Sequence, residues 1–329
     1  MIEICQFGAG RIGRMHAENL ARHPAYRLRY VVDVHEPAAR DVAAATGAAV
    51  ATTEQALADP AITAVLIASS TDTHADLIEA AARAGKAILC EKPIDLSRAR
   101  VDACLAVAAE AGVPLMIGFN RRFDGNFGAL RRALDDGRVG KVELVSITSR
   151  DPGPPPAAYI EVSGGLYRDM MIHDFDLARW LLSEEPVEVF AAGSCLVEPE
   201  IGRLGDVDTA LVILKTGSGA LAQISCSRRA SYGYDQRVEI HGSKGMARAE
   251  NVRLSSVEIA DEAGWHGEKP PYFFIERYAA AYLAELDHFA ACLEAGKPPS
   301  PSGEDGRRAL ALADAAVESL RTGRAVAPS

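Results

Sequence analysis

The most distinctive chemical signal near the start of the chain is a Gly-x-Gly-x-x-Gly pattern at residues 8–13. It follows a short apolar run, opens a helical pattern and precedes Asp33 by 20 residues. Such glycines permit a tight turn, a close approach of the backbone to a pyrophosphate and close packing of the helix on the sheet. The helix N-terminus offers unpaired N–H groups and a positive dipole end to the phosphates. In this context the pattern predicts a dinucleotide-binding site.

Asp33 indicates which dinucleotide is bound. It lies at the end of the second apolar run. A carboxylate in this position accepts hydrogen bonds from the ribose hydroxyls and repels a 2′-phosphate. We therefore expect NAD rather than NADP as the cofactor. The alternative interpretations are a glycine turn that binds no ligand and an ordinary surface carboxylate.

Two further sets of residues could carry acid–base chemistry. Lys92 stands in a Cys-Glu-Lys-Pro segment at the end of a predicted strand, where it would either reach the cofactor or be a solvated lysine before a turn. Asp169 and His173 are four residues apart, so on one helix they would share a face. Their alternative interpretations are helix capping by the acid and a buried structural histidine. No cysteine–histidine set has zinc spacing, so we expect no metal.

The secondary-structure elements that must position these residues are arranged differently in the first third of the chain and in the remainder. The first third alternates strand and helix patterns, which predicts a Rossmann-like, doubly wound parallel sheet covered on both faces. Its predicted strands are 2–7, 27–34, 64–69, 87–91 and 114–119, and its predicted helices are 11–22, 36–46, 73–84 and 97–111.

The remainder of the chain predicts an α/β domain with a large, mostly antiparallel open sheet, because tight turns join closely spaced strands. We expect two domains, 1–119 for dinucleotide binding and 120–329 for substrate binding and oligomerisation. The predicted strands of the second are 142–150, 187–197, 207–216, 219–228, 235–241 and 252–259, and its predicted helices are 123–136, 170–182, 275–294 and 304–321.

Composition argues against several function classes. The 329 residues carry a net charge of −10, which disfavours broad binding to nucleic acid or anionic membranes. No apolar run reaches the ~18–20 residues of a membrane span, and the N-terminus lacks the pattern of a signal peptide. The six cysteines form no Cys-x-x-Cys pair, which favours reduced thiols in the cytoplasm.

Several short segments occur together in one order: the 8–13 turn, TDTH (71–74), GK (85–86), CEKP (90–93), GFNRRFD (118–124) and SGG…D-x-x-x-H-D-x-D (163–176). Over nearly the whole chain they resemble the Gfo/Idh/MocA oxidoreductases. The resemblance implies a nicotinamide-binding N-terminal domain and a C-terminal sheet whose open face forms an oligomer interface, often in tetramers. Within the family, GFNRRFD, ITSRDP (147–152), IHDFD (172–176) and the 231–245 run are most similar to enzymes that oxidise myo-inositol with NAD.

The resemblance also implies particular site residues, and it suggests a cis bond between Lys92 and Pro93. The implied catalytic set is Lys92, Asp169 and His173. The cofactor-binding residues that we expect are Gly8, Gly10, Arg11, Ile12, Gly13, Asp33, Ser70, Thr71, Glu91, Lys92 and Arg121. The substrate contacts that we expect are Lys92, Asn120, Arg121, Asp151, Asp169, His173, Asp176, Tyr234 and Tyr282.

These residues support one mechanism for oxidation of a secondary alcohol, in which the nicotinamide takes the hydride. His173 would act as general base, because imidazole with a pKa near ~6.5 suits proton transfer around neutrality. Asp169 would orient it, and Lys92 would donate a hydrogen bond to the reacting oxygen. The expected substrate is a small cyclitol or sugar. The alternatives are a scyllo-inositol or pyranose dehydrogenase of the same family and a catalytically silent NAD-binding regulator.

Overall fold

The structure, a computed structural model, describes residues 1–328. The chain forms two compact units that each combine separate stretches of sequence. One unit contains Met1–Phe123 and Ala280–Leu310, and the other contains Asp124–Ala279 and the residues from Ala311 onward. Within residues 1–328, no helix combines the length and the apolar character needed to cross a membrane.

The first unit is built on a six-stranded sheet in which every pairing is parallel, in the order β3-β2-β1-β4-β5-β6. This confirms the predicted doubly wound sheet, although the short β3 and α3 had no sequence-based prediction. The strands are β1 (Ile2–Phe7), β2 (Tyr26–Val32), β3 (Ala49–Val50), β4 (Ala64–Ile67), β5 (Ala87–Cys90) and β6 (Leu115–Ile117). The helices are α1 (Arg11–Arg22), α2 (Glu36–Thr46), α3 (Thr53–Ala58), α4 (Thr71–Arg83) and α5 (Arg98–Ala111).

The order of these strands places ligand-binding loops at one edge of the sheet. β4 and β5 consist entirely of buried residues, as expected for central strands covered by helices on both faces. The strand order reverses direction between β1 and β4. In sheets of this kind ligands bind beyond the carboxyl ends of the strands at that switch point.

A late segment of the chain belongs to the first unit, whereas the linear division at residue 119 assigned it to the second. It contains most of α12 (Ala279–Ala295) and the start of α13 (Gly303–Thr322). Leu286 and Phe289 are fully buried in the core of the first unit, and the Tyr26 hydroxyl donates to the backbone oxygen of Leu286 at 2.7 Å. The apolar face of α12 therefore completes this core.

The second unit contains a six-stranded sheet in the order β12-β11-β7-β10-β9-β8, and only the β7–β10 pairing is parallel. This confirms the mostly antiparallel open sheet. The strands are β7 (Val142–Arg150), β8 (Pro186–Ser194), β9 (Thr209–Thr216), β10 (Leu221–Ser227), β11 (Asp235–Gly242), β12 (Gly245–Ala249) and a separate hairpin of β13 (Glu258–Asp261) and β14 (Gly264–Gly267). The helices are α6 (Gly125–Asp135), α7 (Ala157–Ser163), α8 (Gly165–Asp169), α9 (Ile172–Leu182), α10 (Pro199–Arg203) and α11 (Phe274–Arg277).

The strand predicted at 252–259 is wrong for residues 252–257, and only its last two residues lie in a strand, β13. The turn at 242–245 folds the chain straight back, so that the sheet continues with β12 paired antiparallel to β11. The apolar side chains Val252, Leu254 and Val257 are exposed and belong to no strand. The alternation of apolar and polar residues there resembles a strand but finds no neighbouring strand to pair with.

The helix predicted at 170–182 is confirmed as α9, but the expectation that Asp169 and His173 share a face of one helix is wrong. The backbone oxygen of Leu166 accepts hydrogen bonds from both Met170 and Met171, at 3.1 and 2.9 Å, and this closes α8. A new helix, α9, then begins at Ile172. Asp169 and His173 consequently lie on two successive helices, not on one face of a continuous helix.

Candidate active site

The turn between β1 and α1 depends on two glycines that admit no side chain. Gly8 has a φ of +99°, and a Cβ there would lie 2.3 Å from the backbone oxygen of Ala68. A Cβ on Gly13 would lie 2.2 Å from the backbone oxygen of Gly8. These approaches hold α1 against the sheet and bring the β1 turn into contact with the turn that follows β4.

Gly10 differs from Gly8 and Gly13, because the space around it is open to a ligand. It is exposed, caps α1 without a side-chain hydrogen bond, and has no atom within 4 Å of where a Cβ would stand. The exposed Arg11 and the partly buried Ile12 begin the helix beside it. The turn thus presents open backbone at a helix N-terminus, which fits the pyrophosphate of a dinucleotide.

Asp33 fixes the second side of this turn. One carboxylate oxygen accepts from the backbone N–H of Ala9 at 2.7 Å, and the other accepts from the N–H of His35 at 2.7 Å. The carboxylate is partly exposed just beyond β2. It therefore lies where a ribose would meet it, and its two hydrogen bonds keep it from rotating away.

Ser70 and Thr71 lie at the next loop along the same edge. Ser70 is exposed and caps α4 without a side-chain hydrogen bond, and Thr71 is the first residue of the helix. Because the preceding Ala68 touches Gly8, this second helix N-terminus lies beside the glycine turn. The first unit therefore brings together both loops that the sequence predicts for cofactor binding.

Lys92 follows Glu91 at the end of β5, and its bond to Pro93 is cis. The buried His74 places Nδ1 2.7 Å from the backbone oxygen of Pro93 and Nε2 3.1 Å from that of Ser69. It thus ties the Lys92 segment to the loop that follows β4. These two contacts give the buried His74 a structural role.

Glu91 is held by a partner that the sequence did not reveal. Its Oε1 lies 2.8 Å from Nε2 of His16, whose side chain is almost fully buried. Although burial acts to raise the pKa of the Glu91 carboxyl, the hydrogen bond to His16 and the charges of His16 and Lys92 hold that pKa below its usual value. His16 shares the inward face of α1 with Gly13, so a polar residue on that face was the available signal.

Glu285 on α12 is a second residue that sequence reasoning missed. It is fully buried, and neither of its carboxylate oxygens has a hydrogen-bond partner within residues 1–328. Burial, together with the negative charge of Glu91, raises the pKa of its carboxyl well above the ordinary value. The ring of Tyr282, one turn earlier on α12, packs edge-on against His16 at 5.4 Å. The largely buried Glu91 and the fully buried Glu285 thus influence each other, and burial disfavours charge on Glu285.

Asn120 and Arg121 lie in a short 3-10 turn, Asn120–Phe123, that follows β6. Their exposed fractions are 2% and 3%, so they are buried polar side chains and not ordinary surface groups. Burial of polar groups is costly without partners, which favours a role in binding or in organising this edge.

The second unit gathers a separate group of candidate residues at one end of its sheet. Asp151 follows β7, and its backbone N–H donates to the oxygen of Ser227 at the end of β10. Tyr234 is buried directly before β11, whose first residue, Asp235, pairs with Arg150. The parallel β7–β10 pair and the antiparallel β11 therefore bring these positions together.

Asp169 and His173 stand at the junction of α8 and α9. The Tyr159 hydroxyl donates to Oδ1 of Asp169 at 2.9 Å, and Nη2 of Arg228 lies 3.6 Å from Oδ2. His173 is partly exposed in the first turn of α9. The two residues lie on consecutive helices, α8 and α9, and the expected shared helix face is absent.

Asp176 has surroundings that differ from those of the other predicted substrate contacts. It is 1% exposed, and its Oδ1 lies 3.6 Å from Nη1 of Arg179 one turn later on α9. Arg179 also donates to both oxygens of Glu185, at 2.7 and 2.6 Å. This ion-pair network stabilises the end of α9 and holds the Asp176 side chain in place.

Within residues 1–328, no group of three or more His, Cys, Asp or Glu side chains is arranged to hold a metal ion. A parallel sheet with the dinucleotide fingerprint is typical of nicotinamide-dependent oxidoreductases.

Comparison with known proteins assigns the family. Residues 2–119 match the model described as "Oxidoreductase family, NAD-binding Rossmann fold", and residues 127–248 match the GFO/IDH/MocA C-terminal domain. The chain is 54% identical to an inositol 2-dehydrogenase of Rhizobium meliloti over 97% of each chain. It is 50% identical to a myo-inositol 2-dehydrogenase of Thermotoga maritima, over 97% of this chain and 96% of that one. A crystal structure of a myo-inositol dehydrogenase from Corynebacterium glutamicum superposes with a TM-score of 0.96 at 42% identity, covering 100% and 99% of the two chains. The chain belongs to the Gfo/Idh/MocA oxidoreductase family, and its N-terminal domain is an NAD-binding Rossmann domain.

The buried carboxyl of Glu285 leads to a prediction about stability and pH. Its folded-state pKa lies well above the ordinary 4.5, so the folded protein retains a proton that the unfolded chain releases. The stability that depends on this proton is complete below about pH 4.5 and declines as the pH rises. Glu285→Gln stays neutral, so we expect it to raise Tm at pH 8 by a few degrees, roughly 2–4 °C per kcal/mol.

Thermal unfolding followed by circular dichroism at pH 5 and pH 8 measures this effect. The gain should shrink towards pH 5, and the exposed Glu294→Gln on the same helix should show no gain at either pH. An equal gain at both pH values, or a larger one at pH 5, would show that Glu285 is not a buried group of raised pKa.

Proposed function

We propose that the protein oxidises myo-inositol to 2-keto-myo-inositol with NAD, a reaction that would open inositol catabolism. This proposal rests on sequence similarity. Over 97% of its length, the chain is 54% and 50% identical to the two inositol 2-dehydrogenases named above. The dinucleotide turn and Asp33 support NAD as the acceptor.

The proposed chemistry divides the reaction between the cofactor and three side chains. NAD, when bound, accepts a hydride from the carbinol carbon. We propose that the imidazole of His173 takes the hydroxyl proton, that Asp169 stabilises the imidazolium form, and that the ammonium of Lys92 donates to the alcohol oxygen. The burial of Glu91 and its bond to His16 support a fixed position for the Lys92 segment.

A cyclitol carries a hydroxyl on every ring carbon, so its recognition needs several polar partners. Selectivity follows because an incorrect epimer leaves buried polar groups unpaired. The residues that we propose for this role are Asn120, Arg121, Asp151, Asp176, Tyr234 and Tyr282.

The substrate assignment is tested by initial rates of NADH formation across a polyol panel with NAD and with NADP. We expect the highest kcat/KM with myo-inositol and NAD. A clear preference for scyllo-inositol, a pyranose or an acyclic polyol would show that myo-inositol is not the substrate. A preference for NADP would contradict the role of Asp33. Binding of NAD without turnover of any polyol would favour a regulator.

Removal of the proposed catalytic groups should strongly reduce turnover while NAD binding survives. We expect Lys92→Ala and His173→Ala each to lower kcat by about 10²–10⁴, since a positioned donor or base is typically worth that much. Steady-state rates and NAD titration by calorimetry measure the two effects. Lys297→Ala and His266→Ala alter exposed residues of the same types and should keep wild-type rates. Turnover near wild type in the Lys92 or His173 variant would remove that residue from the mechanism.

We also propose that the protein is a homo-oligomer, a tetramer, assembled through the open face of the second sheet. One face of this sheet is buried, whereas the other exposes apolar side chains on adjacent strands. Phe190 on β8 pairs with Ile213 on β9, and these two and Leu211 are 41%, 49% and 60% exposed. An apolar patch of this kind is typical of an association surface.

Charged residues on this face should therefore reduce the molecular mass in solution. We expect the molecular mass of the Leu211→Lys/Ile213→Lys double variant to fall below that of four chains. Light scattering coupled to size-exclusion chromatography measures this mass. Leu254→Lys, at an exposed apolar residue outside the sheet, should leave the mass unchanged. A monomeric wild-type protein, or a double variant of unchanged mass, would contradict the proposed interface.

We further propose a cytoplasmic location. All six cysteines are free thiols, and five of them are buried. Reduced cysteines without disulfide pairing are typical of that compartment.

A further inference from the structure

Arg228 stands directly after β10 and is a buried cation next to a proposed catalytic residue. Its exposed fraction is 1%, and its Nη2 lies 3.6 Å from Oδ2 of Asp169 and 3.9 Å from Oδ2 of Asp206. Neither Nε nor Nη2 has a hydrogen-bond partner within residues 1–328. Its contacts with the two acids are therefore mainly electrostatic.

The backbone holds this cation and Asp206 in place. The N–H of Arg228 donates to the oxygen of Asp208 at 2.8 Å, which ties it to the start of β9. Both carboxylate oxygens of Asp206 accept from the N–H of Leu166 at 3.0 Å, in the first turn of α8. The guanidinium thus faces one carboxylate fixed at the start of α8 and another, Asp169, at its end.

A buried guanidinium is stable only where nearby anions compensate its charge. Two carboxylates face one cation here, so the cluster carries a net negative charge of one when both acids are ionised. The guanidinium beside Asp169 weakens the negative field that this carboxylate exerts on neighbouring groups. His173 lies four residues after Asp169, in the first turn of α9, and is the proposed base on which this field would act.

We propose that Arg228 is a positioning residue of the reaction. It holds the Asp169 carboxylate in place and offsets part of its charge, and thereby lowers the pH at which His173 loses its proton and becomes an effective base. This inference rests on the function proposed above, in which Asp169 and His173 act together.

The other groups around this cluster do not supply the same charge. Tyr159 on α7 donates a neutral hydrogen bond to Asp169. Arg168 on α8 is paired with Asp314 at 2.8 Å. Met170 and Cys226 contribute a sulfur contact at 3.6 Å. Asp208 directs its carboxylate to the N–H groups of residues 196–198. Asp206 is thus the other charged side chain within 4 Å of Arg228 among the described residues.

The test is the pH dependence of kcat/KM for inositol oxidation, whose acidic limb reports the proposed base. Arg228→Met leaves the charge of Asp169 uncompensated, which favours the imidazolium form of His173. We expect the acidic limb to move to higher pH by about half a unit or more. Asp206→Asn removes the competing anion and should move the limb to lower pH. Opposite shifts are not expected from a purely structural role.

Two further variants separate charge from packing. Arg228→Lys keeps the cation and should leave the limb near that of the wild type, whereas a shift equal to that of Arg228→Met would overturn the proposal. Arg229→Met changes the exposed neighbour and should have no effect. If Arg228→Met does not fold, as judged by circular dichroism, Asp206→Asn and Arg228→Lys decide the question.

A measurement without turnover distinguishes this proposal from the proposed function. The pKa of His173 can be followed by NMR of histidine-labelled protein, with His173→Gln used to assign the signal. A higher pKa in Arg228→Met supports the proposal even if the preferred substrate is another polyol. An unchanged pKa and an unchanged limb in folded Arg228→Met would overturn it, and inositol oxidation by the wild type would still stand.

Discussion

The close approach of backbone atoms at the first strand–helix turn is the constraint on which the cofactor site depends. Gly8 and Gly13 each lie where a single added carbon would meet a backbone carbonyl at 2.2–2.3 Å. No side-chain rearrangement relieves such a contact, because the opposing atoms belong to the main chain. The position of α1, the contact with the loop after β4 and the bond from Ala9 to Asp33 all follow from this turn.

Behind each candidate catalytic group the protein buries an ionisable cluster. In the first unit, His16 compensates Glu91 next to Lys92, while Glu285 remains buried without a hydrogen bond and its raised pKa favours the neutral acid. In the second unit, Arg228 faces two carboxylates, one of which is Asp169. Buried charges cost free energy unless they are paired, so these clusters are suited to control the orientation and proton affinity of the proposed catalytic groups.

The features that could be predicted from the sequence are those that depend on patterns within a few residues. The fingerprint glycines, Asp33 and the strand–helix alternation of the first sheet are recognisable because turn chemistry and periodicity act over a few residues. The return of residues 280–310 to the first unit was not predictable in this way, because it depends on the apolar face of α12 matching a core formed much earlier in the chain. His16 and Glu285 were missed for the same reason, since a polar residue on an apolar helical face reveals its partner only in the folded structure.

The break between α8 and α9 shows the limit of spacing arguments. Asp169 and His173 have the four-residue spacing of one helix face, and no glycine or proline separates them. The helix nevertheless closes because Leu166 accepts two consecutive backbone hydrogen bonds. Residue types therefore suggested the pair, while the placement of its members on two separate helices required the structure.

Transfer of the carbinol hydrogen itself is the most direct test of the central claim, which is that this chain passes a hydride from inositol to NAD. Myo-inositol carrying deuterium at carbon 2 is incubated with the enzyme and NAD, and the reduced cofactor is analysed by mass spectrometry. The account predicts one deuterium in the reduced nicotinamide and a 2-keto product without label. Reduced cofactor that contains no deuterium, or the absence of any reduced cofactor, would contradict it.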